Sequence, residues 1–406
     1  MPAPIAPTIA ATEPSPVMEA RRWIAGRSFP AGRPLINLSQ AAPVLPPPEP
    51  LRAEIARIVM EEPQAHLYGP VLGLPALREE IAARWSAAYG GAIDPADVAV
   101  TAGCNMAFCA ALATVAAPGD AVILPTPWYF NHKMWCDTVG VSAIPLPCGA
   151  GMLPDAQAAR ALITPRTRAI VLVSPNNPTG AEYPPELLAA FRDLARQRGI
   201  ALILDETYRD FHTAPGAPHG LFADPDWRDT LIHLYSFSKV FRLTGHRVGA
   251  MIADPARLAE AEKFLDSAAI CAPQIGQFAA LWGLRHLGDW VARERAEIVS
   301  RRAAMARGIA GLPGWRLLGC GAYFAYVAHP FPDSSADLAQ DLVAEQSLLM
   351  LPGTMFTPGP EGARQFRIAF ANADDAGIAQ TVARLAAFTA RRLTAGAALD
   401  SDRPSP

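Results

Sequence analysis

Leu231-Ile232-His233-Leu234-Tyr235-Ser236-Phe237-Ser238-Lys239, continuing as Val240-Phe241-Arg242-Leu243-Thr244-Gly245-His246-Arg247-Val248-Gly249, passes from an apolar run to a lysine fenced by small hydroxyl residues. The run Leu231–Tyr235 reads as a buried strand. The chain has only three lysines, Lys133, Lys239 and Lys263, and arginine carries the rest of the basic charge. An amine that must lose its proton and attack a carbonyl cannot be replaced by a guanidinium, which stays charged. Taken alone, the segment allows two readings of Lys239: a reactive amine, or an ordinary surface lysine in a loop.

Outward from this stretch the apolar runs recur. Val98–Thr101, Ala121–Leu124, Ser142–Leu146, Ala169–Ser174, Ile200–Leu204, Leu231–Tyr235 and Val248–Ala253 read as strands, nearly all apolar rather than alternating. That pattern predicts a sheet covered on both faces. Helical spacing separates the strands. Leu77, Ile81 and Trp85 share a face of a helix over 74–88. Leu187, Phe191 and Leu194 do the same in Pro185–Arg198, which Gly199 stops. Alternating strands and helices predict an α/β fold with a mostly parallel seven-stranded sheet. Ligands of such sheets sit beyond the carboxyl ends of the strands.

Around this core lie other kinds of sequence. Residues 1–34 hold seven prolines and read as a partly disordered arm with a short helix near 17–25. Residues 51–311 form the large domain, ending in long helices after Pro255. Residues 35–50 and 312–394 form a smaller α+β domain, with strands at Tyr323–Val327 and Leu348–Leu351 and helices at 336–345 and 374–393. Residues 395–406 read as a disordered tail.

Composition excludes several classes. At 406 residues and 51% hydrophobic, the chain buries its own core without disulfide or metal. A net charge of −3 speaks against nucleic acid or an anionic membrane as partner. The six cysteines form no C-x-x-C pair and no cluster at metal spacing, as in reduced cytoplasmic proteins. No apolar run reaches membrane-spanning length, and the first 20 residues lack the basic start of a secretory signal.

Polar residues punctuate the strand ends. Thr101-Ala102-Gly103-Cys104-Asn105 turns a strand into a helix whose free N–H groups suit a phosphate. Ser174-Pro175-Asn176-Asn177-Pro178-Thr179-Gly180 is a rigid turn carrying two amides. Asp205 follows a buried strand, where a carboxylate needs a cation, or else serves as a helix cap. Arg367 interrupts the apolar run Phe366–Phe370, as a carboxylate clamp or a paired surface residue. The usual dinucleotide and Walker patterns are missing.

Their joint order is specific. Gly-Cys-Asn, Asn-Asn-Pro-Thr-Gly, Asp-x-x-Tyr, Ser-x-Ser-Lys with Arg247 eight residues after Lys239, then Phe-Arg-Ile resembles the fold-type I, class I/II aminotransferases that use pyridoxal 5′-phosphate (PLP). The likeness runs from about Ile36 to Leu393 and includes Tyr68-Gly69-Pro70-x-x-Gly73-Leu74 and Leu351-Pro352-Gly353-Thr354-x-Phe356.

The resemblance implies roles. Lys239 would carry PLP as an internal aldimine and shuttle the substrate proton. Asp205 would pair with the pyridine nitrogen. Asn177 and Tyr208 would bond the ring's phenolic oxygen. Tyr129, with Trp128 as the adjacent alternative, would stack on the ring. Gly103, Cys104, Asn105, Ser236 and Arg247 would hold the phosphate, and Tyr68 would reach the neighbouring site of a homodimer. Arg367, assisted by Asn177, would grip the substrate α-carboxylate. Ala41 stands where many relatives have a glycine whose backbone touches that carboxylate. No lysine or arginine lies between Phe264 and Gly283, which turns the reading from dicarboxylates toward aromatic or large apolar amino acids as donors to a 2-oxo acid. A C–S β-lyase or related synthase on the same fold shares every cofactor contact and stands as the alternative. A non-catalytic transcription regulator needs a DNA-binding domain, for which the arm is too short.

Overall fold

The computed structural model describes residues 3–401, with side chains described to residue 394. Two compact units divide the chain. The first comprises residues 1–13, 42–177 and 181–297, and the second 14–41, 178–180 and 298–406.

The first unit is built on seven strands: β1 (Val98–Thr101), β2 (Ala121–Thr126), β3 (Ser142–Pro147), β4 (Thr167–Val173), β5 (Ala201–Asp205), β6 (Leu231–Ser236) and β7 (Gly249–Ile252). Their order across the sheet is β1-β7-β6-β5-β4-β2-β3. All neighbours are parallel except β7, which runs antiparallel to both β1 and β6. Every strand read from the sequence is therefore present, and each alternates between two separate cores. Leu202, Leu204, Leu231 and Tyr235 join the core holding the helices Pro75–Tyr89, Pro185–Arg198 and Gln274–His286. Ile203, Ile232 and Leu234 join the other, under the helices Cys104–Ala113 and Pro255–Ala269. Burying each such aliphatic side chain is worth about 1.5–3 kcal/mol, which explains the near-absence of polar residues in the central strands.

Two details differ from the sequence reading. The edge strand β3 is largely exposed and carries Pro145 and Pro147; proline is tolerated at an edge because no ladder bond is lost to solvent. In the helix Pro185–Arg198 it is Leu188, with Phe191, Leu194 and Ala195, that is fully buried, while Leu187 packs half-buried beside them. Gly199 ends this helix in the left-handed region, φ 63°, which costs glycine nothing.

The second unit carries a four-stranded antiparallel sheet ordered Leu351–Pro352, Gln365–Ile368, Phe324–Ala328, Arg316–Gly321. The stretch read as one strand over 348–351 is two. Leu348–Leu349 pairs in parallel with Ile36–Asn37, and the chain then changes sheets at Met350. Arg384 fastens this junction by donating to the carbonyls of Pro34 (2.8 Å), Gln346 (3.1 Å) and Ser347 (2.8 Å). Helices occupy Pro16–Ile24, where the arm was expected to hold one, and Ser335–Gln346. The last helix, Asp375–Ser401, runs on into the stretch read as a tail; residues 402–406 of that stretch lie outside the described residues. Among the described residues no helix is long and apolar enough to cross a membrane.

His329 gives this unit a pH signature. Its ring lies among Trp315, Phe331 and Phe366, and its Nε2 meets the Ala363 carbonyl at 3.2 Å while Nδ1 is buried without a partner. Burial lowers its pKa to about 4. The depressed value makes the neutral imidazole a stabilising feature above the unfolded pKa, about 6.5. That contribution is lost as pH falls toward about 4, because the unfolded chain takes up the proton first. Thermal unfolding midpoints are expected to drop over this window, and His329→Gln should flatten the drop. An identical pH dependence in the variant refutes the assignment.

Candidate active site

The carboxyl ends of β1, β4, β5 and β6, with the start of the antiparallel β7, gather most of the residues singled out in the sequence. At β1 the chain turns through Gly103, φ 84°, into the helix Cys104–Ala113, whose first turn no side chain caps. A Cβ at Gly103 would overlap the Arg247 guanidinium, and one at Gly249 would come within 2.6 Å of the Cys104 nitrogen. Both glycines thus let β7, the helix start and Arg247 close on one another. Arg247 itself sits in the left-handed region, φ 50°, and donates to Ser238 Oγ (3.4 Å) and the Thr244 carbonyl (3.1 Å). Ser236, at the end of β6, accepts from the Ser238 N–H at 3.2 Å and so shapes the short helix Phe237–Val240 that bears Lys239. Uncapped helix N–H groups, a guanidinium and a hydroxyl converge here as phosphate donors do.

Asp205 ends β5 and is only 3% exposed. Its Oδ1 accepts from the Thr207 N–H at 2.9 Å and faces the Cys104 thiol at 3.6 Å; its Oδ2 lies 3.3 Å from His132 Nε2. Burial pushes the carboxyl upward, but the His132 imidazole and the Thr207 donors outweigh it and hold it below the ordinary aspartate range. Burial and the Asp205 charge together push the Cys104 thiol well up, so Cys104 presents a neutral S–H. His132 is a site residue that the sequence reading passed over. It stacks on Phe108 with ring centres 3.9 Å apart and meets the edge of Tyr129 at 4.9 Å. The one available signal was its place three residues after Tyr129, one helical turn along.

Neighbouring residues at two strand ends have different surroundings. Trp128 belongs to the packed core under the helices Cys104–Ala113 and Pro255–Ala269, whereas Tyr129 is half-buried and donates to Asn105 Oδ1 at 3.3 Å. Of the two asparagines after β4, Asn176 is occupied by the turn, donating to the Val173 carbonyl (3.4 Å) and Tyr183 Oη (3.1 Å). Asn177 follows it and is buried. Lys239 Nζ lies 5.8 Å from the ring centre of the buried Tyr208. Tyr68 stands apart, 78% exposed.

Arg367 and Ala41 lie in the second unit. Arg367, 2% exposed on the strand Gln365–Ile368, donates to the Ser39 carbonyl, with its guanidinium 5.2 Å from the Phe324 ring and 5.0 Å from Phe356. A guanidinium fixed between two rings has lost its rotamer freedom in advance, as a preformed clamp requires. Ala41, also buried, follows closely on Ser39.

Comparison with known proteins identifies the family. The family Aminotransferase class I and II matches residues 33–385. The valine–pyruvate aminotransferase of Mycobacterium tuberculosis is 30% identical over 353 residues, covering 83% of this chain and 87% of that protein. The arginine–pyruvate transaminase of Pseudomonas aeruginosa is 31% identical over 308 residues, 73% of this chain and 76% of that protein. Among solved structures, an aspartate aminotransferase from Thermus thermophilus superposes with a TM-score of 0.86 over 95% of this chain and 99% of its own, at 24% identity, and shares the fold. The chain belongs to the class I and II aminotransferases, and it is a PLP-dependent enzyme. The residues present fit that cofactor: the cradle at Gly103 admits no side chain, and Asp205 is a buried anion held ready for a cation.

Proposed function

We propose that the chain moves the amino group of an L-amino acid with a large apolar or aromatic side chain to a 2-oxo acid, in two half-reactions at one site. The reading rests on Lys239, a primary amine at a strand end, served by the same sheet edge as the buried anion Asp205. Pyruvate is named for two relatives and is the first acceptor to try. Bound PLP supplies an aldehyde and a ring that accepts electrons. Lys239 Nζ is the amine that would hold the cofactor and, when free and neutral, would accept the proton leaving the substrate Cα. Asp205, ionised, would face the ring nitrogen and favour its protonated form. Asn177 and Tyr208 would bond the phenolic oxygen. Tyr129 would stack on the ring. Gly103, Cys104, Asn105, Ser236 and Arg247 would hold the phosphate. Arg367 and Asn177 orient the α-carboxylate, and Ala41 in place of glycine narrows the room beside it.

Tyr68 is assigned to the site of a second copy in a homodimer. Its neighbours support this, since Met60 and Leu67 are also exposed, at 82% and 57%, and such clustered apolar surface marks interfaces. The test is a panel of amino donors with pyruvate, scored by single-turnover loss of the visible absorption of the loaded enzyme. Large apolar donors should react fastest. With an amino acid alone the reaction should stop after one equivalent; continuous ammonia release would mark a lyase instead.

A further inference from the structure

Behind the turn that bears Lys239 lies a cavity of about 460 Å³, within the first unit and on the opposite sheet face from Asp205. Val240 and Phe241, the two residues after Lys239, form part of its wall, with Leu284, Leu287 and Val291 extending the apolar side. Its polar side is Arg209 and Asp210. The Arg209 guanidinium sits 4.2 Å from the ring of Trp85 and 4.7 Å from that of Tyr89, yet its side chain makes no hydrogen bond among the described residues. Its Nη1 and the Trp85 Nε1 are both buried donors without an acceptor. Glu206, the nearby carboxylate on this face, accepts from the Tyr89 hydroxyl and meets His233 Nε2 at 2.8 Å through Oε2, while its buried Oε1 has no hydrogen-bond partner. Asp210 accepts from the Tyr235 hydroxyl at 2.6 Å through Oδ2 alone. The other cation at the rim, Arg84, is held by Glu80 at 2.6 Å.

A guanidinium that feels the charges of Asp210 and Glu206 but makes no hydrogen bond, an adjacent carboxylate bonded through one oxygen, and an apolar wall complement one chemical class. We propose that this cavity is a second amino-acid site, taking a zwitterionic L-amino acid with an apolar side chain. The ligand's carboxylate meets Arg209, its ammonium meets Asp210, and its side chain lies on Phe241, Leu284 and Leu287. The volume falls in the range of small-ligand pockets. A lone anion would be repelled by Asp210 and a lone cation by Arg209, so both charges are needed together.

The test is calorimetric titration of L-leucine into the loaded protein after borohydride reduction, which prevents turnover. One leucine per chain is expected at this cavity. Ala88→Trp, which fills the cavity from its wall, and Asp210→Asn should each weaken binding by about tenfold or more. 4-Methylpentanoate and 3-methylbutylamine, each lacking one charge, should likewise bind about tenfold more weakly or worse. Arg367→Leu should leave the affinity unchanged, which separates this site from the proposed substrate clamp. Circular dichroism confirms that each variant is folded, and Asp210→Asn decides if Ala88→Trp is not. No leucine binding below about 10 mM overturns the proposal. So does wild-type affinity in either folded cavity variant, or loss of binding in Arg367→Leu.

Discussion

Lys239→Ala is expected to abolish turnover, by about 10⁴-fold or more, and to remove the visible absorption of the loaded enzyme. The chain offers only three primary side-chain amines, and the structure distinguishes them. Lys133 is bound by Asp137 at 2.5 Å, one helical turn away, and Lys263 by Glu260 at 2.7 Å on an exposed helix face. Each is an ordinary i,i+3 or i,i+4 surface pair. Lys239 alone stands at a strand end, half-buried, on a helix of a single turn that Ser236 caps, beside the ring of Tyr208. Lys239→Arg should be as inactive as the alanine variant, because a guanidinium cannot release a proton at working pH. Lys133→Ala and Lys263→Ala should retain activity. The measurements are steady-state rate and absorption spectrum, and wild-type turnover in Lys239→Ala would sink the assignment.

Much of this was legible beforehand for physical reasons. The seven strands were readable because a sheet covered on both faces admits almost nothing but apolar residues, and glycine, proline and aspartate then stand out at the ends. Arg316–Gly321 was not readable. It pairs on one side only, is half-buried or exposed along all but its last residue, and carries two glycines, so no burial pattern marks it. The break at Met350 was hidden because both halves of Leu348–Leu351 are fully buried, and only the partner strands reveal the change of sheet. At the site, single residues after strands stood out because chain position fixes them. His132 was missed because its role depends on Asp205, far along the chain, and on a helix orientation that local spacing does not specify. The resemblance named Asn177 beforehand; that Asn176 is occupied by Tyr183 shows only in the fold. The cavity at Arg209 is illegible for the same reason. Its walls come from four separate segments, and the missing hydrogen bonds of a guanidinium are visible only in three dimensions.

Asp205→Asn is expected to keep the fold and much of the bound cofactor while lowering the rate by about 10³-fold. The size follows from electrostatics. Two unit charges in contact at about 4 Å are worth about 4 kcal/mol at an effective dielectric of about 20. Lost from the transition state, that is about three powers of ten in rate. The amide is nearly the same shape, and the Thr207 N–H can still bond its oxygen, so packing should survive. The pH dependence gives a second readout. Because the Asp205 pKa is held below its ordinary value, the carboxylate stays charged at every pH above the usual aspartate range. The wild-type rate should therefore show no acid limb attributable to Asp205 near neutrality. His132→Phe should be milder, since Thr207 remains to hold the carboxylate; with the imidazole gone, burial counts for more and the pKa rises. An acid limb should then appear at higher pH in His132→Phe than in the wild type. If Asp205→Asn turns over at the wild-type rate, the ring nitrogen is not managed from β5, and the role given to this buried anion is wrong.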